Sequence, residues 1–333
     1  MRYLVLFLAL FLTAYGVSQR VTGFKAERLP ENPIITAAMF PGDDGANING
    51  PSLVKVPDFV ENPLGNYYLY FAHHNGKYIR MAYADAVEGP YTIYEPGTLR
   101  LEDCICDRVK PGDPYVPHIA SPEVEIDEAE KKVVMYFHCP QYLGGDRKFK
   151  QNFAQLTLRS TSDNGIDFVP ESEPLGVSYF RVFPWNGYQY AIARLGQLYR
   201  STDGISDFEK GPNPFLKVAG DKQVRHNDIY LEDDTLWVFY TQIGDAPENM
   251  LVSKIQLTEN WEDWKVEAPK VVLRPETSYE GIDLETLPSK RGAIFEPVKQ
   301  FRDPNVFNDG GTLYLLYAVE GETAIAISKL KKE

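Results

Sequence analysis

All five histidines of this chain, His73, His74, His118, His138 and His226, stand at the edges of apolar strand-like runs. Near them fall Asn49, Ser121, Arg181, Arg194, Asp228, Asp245, Arg302, Asp303 and Glu320, which occupy equivalent edges of other runs. Imidazoles titrate near neutrality, carboxylates serve as general acids or bases, and arginines fork onto carboxylates and hydroxyls. A face built from these groups suits a sugar. Cleaving a glycosidic bond needs one group to protonate the leaving oxygen and another to activate water or to attack. In this reading Asp303, held by Arg302, orients the sugar or supports transition-state charge. Glu123 or Asp228 is the base or nucleophile, and Glu280 or His226 is the proton donor. Asn49, His73, His74, His118, Arg181, Asp245 and Arg302 bind hydroxyls or an acidic group of the substrate. His138, beside Cys139, is read as structural. Asp163, Asp203 and Asp309 are read as turn residues, and Glu125 and Asp127 as outward or bottom positions.

The elements that must carry these residues repeat five times. Aromatic-aliphatic runs at 67–71, 133–137, 188–192, 236–240 and 313–317 each follow a turn rich in Gly, Asn, Asp or Lys. Before each turn lies another apolar run, at 52–56, 122–126, 181–183, 228–231 and 305–307. Third strands follow near 78–83, 153–160, 198–201 and 250–255. Asn308-Asp309-Gly310-Gly311 is the clearest of the hairpin turns, since its residues accept positive φ. Five units of about four strands, without an amphipathic helix, predict an all-β, five-bladed β-propeller of four-stranded antiparallel blades. In such a blade the start of the first strand and the end of the second share one face around the axis. That face collects all five histidines.

The hydrophobic fraction is 44%, with 21 Tyr and 18 Phe, a composition that favours strands. A net charge of −13 argues against a nucleic-acid partner, since phosphate binding wants a basic surface. Residues 1–18 read as a signal peptide: Arg2, an apolar run at 3–13, then Ala14-Tyr15-Gly16. Residues 19–333 are then one propeller domain, secreted or periplasmic, with no membrane contact after cleavage. Of the three cysteines, Cys104 or Cys106 could pair with Cys139, but buried free thiols are the expectation. No cofactor is required; a central divalent metal held by His and Asp is the option the same residues leave open.

Arg302-Asp303-Pro304 ahead of a hairpin resembles the Arg-Asp-Pro signature of five-bladed-propeller glycoside hydrolases. This broad group includes arabinanases, β-xylosidases, invertases and neoagarooligosaccharide hydrolases. The turns at Ser162-Asp163-Asn164-Gly165 and Ser201-Thr202-Asp203-Gly204 are similar to its Ser-x-Asp-Gly turns. Asn32-Pro33-Ile34-Ile35 and Glu88-Gly89-Pro90-Tyr91 fit as well. The resemblance implies a hydrolase of plant or algal oligo- or polysaccharides. It departs at blade one, where Asn49-Gly50-Pro51-Ser52 stands in place of an Asp-bearing strand, with Asp43 and Asp44 just upstream. The group's acid Glu has no clean match, and Glu280 is the nearest. Its neoagarooligosaccharide hydrolases use a histidine as the acid, which the histidine-rich face here would permit. A lyase acting on uronate-containing glycans and a non-catalytic sugar-binding propeller are the alternative readings.

Overall fold

The computed structural model describes residues 21–110, 112–217 and 222–333. The signal-peptide reading of 1–18 lies outside them. Five antiparallel sheets are arranged as a β-propeller. Their innermost strands are Asn49–Lys55, Ala120–Asp127, Arg181–Trp185, Gln223–Glu232 and Arg302–Asp309, which define blades I to V. The strands beside them, Tyr67–Ala72, Lys132–Tyr142, Tyr188–Ala193, Thr235–Ile243 and Thr312–Val319, contain the five aromatic runs. Among the described residues the only helical segments are short 3₁₀ turns.

Blade V is completed from the other end of the chain. Phe24–Arg28 pairs antiparallel with Ala324–Lys332, Phe24 opposite Lys332 and Arg28 opposite Ser328. This closure ties the two ends of the ring, so that no blade is left with an open side along the chain break.

The strands are apolar in unbroken runs because both faces of each blade are covered. Side chains alternate along a strand. In blade I, Tyr68 and Tyr70 enter the cluster shared with blade II, whereas Tyr67, Leu69 and Phe71 enter the cluster shared with blade V. Similar clusters lie between blades II and III, III and IV, and IV and V.

The inner strands are also stitched to one another by polar side chains at matching positions. Ser52 Oγ accepts from Val124 N at 2.9 Å, Asn305 Oδ1 accepts from Leu53 N at 3.0 Å, and Asp228 Oδ2 accepts from Val306 N. Strands that crowd the axis cannot pair edge to edge, so side chains satisfy their inward N–H groups.

A bulge opens four of the five inner strands. Pairing breaks between Asn49 and Ser52, Ala120 and Glu123, Val224 and Asn227, and Arg302 and Asn305. In three cases a positive-φ residue precedes proline: Gly50 at 61°, Ser121 at 51° and Asp303 at 47°. At Gly50 a Cβ would lie 3.3 Å from Ser121 Cα, so glycine fits there. A bulge re-aims the side chain that it carries. Here it turns Asp303 across the top of the axis.

Cys106 and Cys139 are joined in a disulfide, with Cα atoms 5.8 Å apart, and Cys104 is buried and free. The free-thiol expectation is corrected for that pair. Residues 101–109 of the 100–117 insert lie against the second strand of blade II and bring Cys106 to Cys139. The bond spans 33 residues, and closing a loop of that size should contribute about 3–4 kcal/mol. Denaturant titration of Cys139→Ala is expected to show a loss of that order.

Candidate active site

Two cavities lie on the propeller axis. The upper one, about 260 Å³, is lined by His74, Gln155, Tyr179, Arg194 and His226, with Arg291 from the 268–300 insert at its rim. The lower one, about 700 Å³, is lined by Glu123, Glu125 and Asp228 among others. Arg181 lies between the two levels. Its Nη1 is 3.2 Å from Glu123 Oε2, and its Nε is 3.6 Å from Asp228 Oδ1.

His226 and Asp303, from neighbouring blades, meet at the upper cavity, with the imidazole Nδ1 against Asp303 Oδ1. Both are buried. Burial carries His226 below its ordinary value despite the carboxylate beside it. Burial opposes the charge on Asp303 too, but the bond to His226 outweighs it and holds Asp303 below the usual range. These directions favour a neutral imidazole with Nδ1 turned to an ionised Asp303. The other nitrogen, Nε2, is left as a base. The Tyr179 ring packs tilted against two imidazoles, its centroid 4.4 Å from that of His226 and 4.7 Å from that of His138. Burial raises the Tyr179 phenol, which stays protonated and able to donate.

His74 forms the opposite pair. Its Nδ1 is 3.0 Å from Glu322 Oε2. Burial works against the imidazolium, but the Glu322 bond and charge prevail and raise the His74 pKa. Glu322 is itself fixed by Arg302 Nη1 at 2.7 Å, Asn47 Nδ2 at 2.6 Å and Asn49 Nδ2 at 3.2 Å. Burial opposes the charge on Glu322, but the bond and charge of His74, followed by Arg302 and Asn47, hold its carboxyl far below the ordinary range.

Several residues singled out in the sequence therefore have other tasks. Arg302 does not hold Asp303. It pairs with Glu322 and donates to Gly292 O at 2.9 Å and Gln300 Oε1 at 3.1 Å. Asn49 likewise braces Glu322. His118 donates Nδ1–H to Val116 O at 2.7 Å, so its Nε2 accepts from Gln155 Nε2 at 3.2 Å. It orients Gln155 rather than facing the cavity. His73 lines a separate pocket of about 290 Å³ with Asp43 and Asp44, its ring 5.9 Å from Phe295. Asp245 pairs with Lys222, and its carbonyl accepts from Ser289 N at 2.9 Å, tying down the 268–300 insert.

Glu280 is the clearest correction. It lies away from the axis, completely buried under the outer part of blade V. Arg28 Nε binds it at 2.7 Å, Tyr317 Oη at 3.2 Å, and the backbone N–H groups of Glu276 and Thr277 at 2.8 and 3.1 Å. It caps a 3₁₀ turn and anchors the closing strand. Glu280→Gln is expected to cost about 1–3 kcal/mol in denaturant titration while leaving turnover unchanged.

Glu123, Arg181 and Asp228 do come together, but on the lower side of the site. Burial pushes Glu123 well above the carboxylate range despite Arg181. It raises Asp228 to about 6. Glu125 faces the lower cavity, a bottom position as expected. Asp228 Oδ2 also accepts from Asn305 Nδ2 at 3.0 Å, and with Val306 N this occupies it as an inter-blade bridge. The Ser162 and Ser201 turns are structural, as read from sequence: each hydroxyl accepts from the backbone N–H two and three residues on.

Glu322 was not singled out in the sequence. The sequence points to its neighbour Glu320 at the same strand end, because Glu320-Gly321-Glu322-Thr323 reads as an ordinary turn. Tyr179 was also missed, because it precedes the inner strand of blade III and reaches the axis through a φ of 70°. Among the described residues no group of three or more His, Cys, Asp or Glu side chains is arranged to hold a metal ion. No described helix is long and apolar enough to cross a membrane.

The fold is that of the five-bladed β-propeller glycoside hydrolases, as three solved structures illustrate. One is a putative glycoside hydrolase from Bacteroides ovatus, with TM-score 0.59, 13% identity, and coverage of 92% of this chain and 97% of that one. Another comes from work on the family-130 mannoside phosphorylases and glycoside hydrolases that target β-1,2 mannosidic linkages in Candida mannan. Its TM-score is 0.59 at 11% identity, with 93% and 94% covered. The third is a family-43 β-xylosidase/α-arabinofuranosidase from a compost microbial metagenome, in complex with xylotriose. It has TM-score 0.54 and 14% identity, with 86% and 91% covered. At such identities the likeness establishes the fold alone. No protein-family model matches the sequence. The chain is 36% identical over 327 residues to the uncharacterized protein R118 of Acanthamoeba polyphaga mimivirus, covering 92% of this chain and 90% of the viral one. It belongs to the same protein family as R118.

Proposed function

We propose that this protein is a glycoside hydrolase whose general acid and base are two histidines rather than two carboxylates. One observation carries this reading: His74 and His226, from different blades, line one cavity, each with its Nδ1 against a buried carboxylate. Their surroundings drive their pKa values in opposite directions, which is how a site divides acid from base. His226, neutral and oriented by Asp303, takes a proton from water attacking the anomeric carbon. His74, protonated and backed by Glu322, delivers a proton to the departing oxygen. Tyr179 and Gln155 donate to sugar oxygens. The five-bladed fold shared with glycoside hydrolases supports the same reading.

The lyase reading draws on a specific feature, the protonated Tyr179 hydroxyl beside a basic His226. In that chemistry His226 removes the proton next to a uronate carboxylate, and His74 or Tyr179 protonates the leaving oxygen. Incubation with a panel of plant and algal oligosaccharides separates the readings. Hydrolysis is expected to give new reducing ends without ultraviolet absorbance. An unsaturated product absorbing near the far ultraviolet would establish elimination instead. Binding without either product would make the propeller a sugar-binding module. Secretion remains part of the proposal and is supported by the Cys106–Cys139 disulfide, since such bonds persist in oxidising compartments.

A further inference from the structure

Basic and acidic side chains are sorted to opposite ends of the axis. The chain carries a net −13, yet the upper cavity is lined by Lys150, Arg194, Arg225 and Arg291, and its nearest carboxylates, Asp303 and Glu322, stand behind His226 and His74. The lower cavity carries Asp58, Glu123, Glu125, Glu128 and Asp228 against the single cation Lys55. Of the four upper cations, Arg225 is neutralised by Glu248, 2.7 Å away. Lys150 and Arg194 make no salt bridge among the described residues, and Arg291 donates from Nη2 to the neutral Gln223 Oε1. Lys150 is steadied instead over the Tyr115 ring, 5.0 Å from its centroid.

Arg194 is the innermost of these three, half-buried beside Tyr179 and His138. Its position is fixed by the backbone. Arg194 N donates to Ser178 O at 2.8 Å, and Leu195 and Gly196 follow at φ 62° and 81°. That sharp turn ends the second strand of blade III and leaves the guanidinium facing the cavity. A low-dielectric cleft lined by one sign of charge focuses its field and concentrates ligands of the other sign. A neutral sugar would give Arg194 and Lys150 no counter-charge. A carboxylate or a sulfate ester would, and a guanidinium fork matches either.

We propose that the upper cavity takes an anionic glycan, with Arg194 receiving the acidic group of the sugar and Lys150 and Arg291 drawing the chain toward the rim. This rests on the upper cavity being the sugar site; it adds the class of sugar.

The test uses the full-length protein on an array of neutral, uronate-containing and sulfated oligosaccharides, followed by calorimetric titration of the bound members. Acidic members are expected to bind, and the uronate and sulfate arms identify which anion is held. Arg194→Gln should weaken binding at least about 10-fold and Lys150→Gln about 3-fold, with unchanged circular dichroism and melting. Affinity should also fall several-fold as salt rises from about 50 to about 300 mM. Neutral members bound as well as acidic ones, with affinity that Gln155→Ala weakens, would overturn the anionic class and leave the cavity as the sugar site. Binding that none of these variants changes, or no binding across the array, would overturn both.

Discussion

His226→Gln is expected to lower kcat on the true glycan by about 10²–10⁴-fold, the range that general acid–base catalysis supplies. The side chain is buried against Asp303 and Tyr179, so glutamine keeps most of its volume and the fold should be retained. KM should change little, because the proton transfer belongs to the transition state. The pH profile provides the sharper check. His226 must be neutral to act as base, and burial sets its pKa below the ordinary histidine value. Activity should therefore rise with pH through a limb below about 6.5. His74 must be protonated to act as acid, and Glu322 sets its pKa above that value. Activity should then fall with pH through a second limb above about 6.5. The bell belongs to the hydrolysis and elimination readings alike. In His74→Gln the alkaline limb should disappear while the acid limb stays. A profile that remains a bell in both variants would remove the two histidines from the mechanism.

Arg302→Met should destabilise the protein by about 3–5 kcal/mol, as expected when one partner of a buried ion pair is removed. Arg302 is 1% exposed and binds Glu322, which is also 1% exposed. Without the guanidinium, Glu322 is left a buried carboxylate whose remaining donors are His74, Asn47 and Asn49. The double variant Arg302→Met/Glu322→Leu should recover much of the stability, since apolar replacements of a whole buried pair are tolerated. It should not recover turnover, because His74 then loses the carboxylate that keeps it protonated. Urea titration and turnover measured side by side separate these effects. Stability and activity restored together would mean that Glu322 only fills space.

The same residues mark how far the sequence reaches. Five pairs of strands were legible because each blade packs both faces against neighbours. Burial on both faces forces apolar runs, and hairpin turns require residues such as Asn308 through Gly311. The closing strand at Phe24–Arg28 was not legible. Its partner lies about 300 residues away, and nothing in a five-residue segment specifies so distant a pairing. The shared histidine-bearing edges were legible from topology alone, because strand order decides which ends meet around an axis.

What each side chain touches was decided only in three dimensions. Arg302 and Asp303 are adjacent in the chain, yet the bulge at φ 47° turns them to different partners, Glu322 and His226. Glu280 is the nearest residue in the sequence to the acid Glu that the resemblance calls for, but it is consumed by the closing strand through Arg28. Cys106 met Cys139 because part of an insert lies against a blade. The sequence by itself determined the all-β repeat, the number of blades and the face that holds the histidines, since those follow from periodic burial and chain order. The tertiary structure alone decided which carboxylate stands behind which histidine, because that depends on bulges and insert paths that change a side chain's direction without leaving a periodic mark.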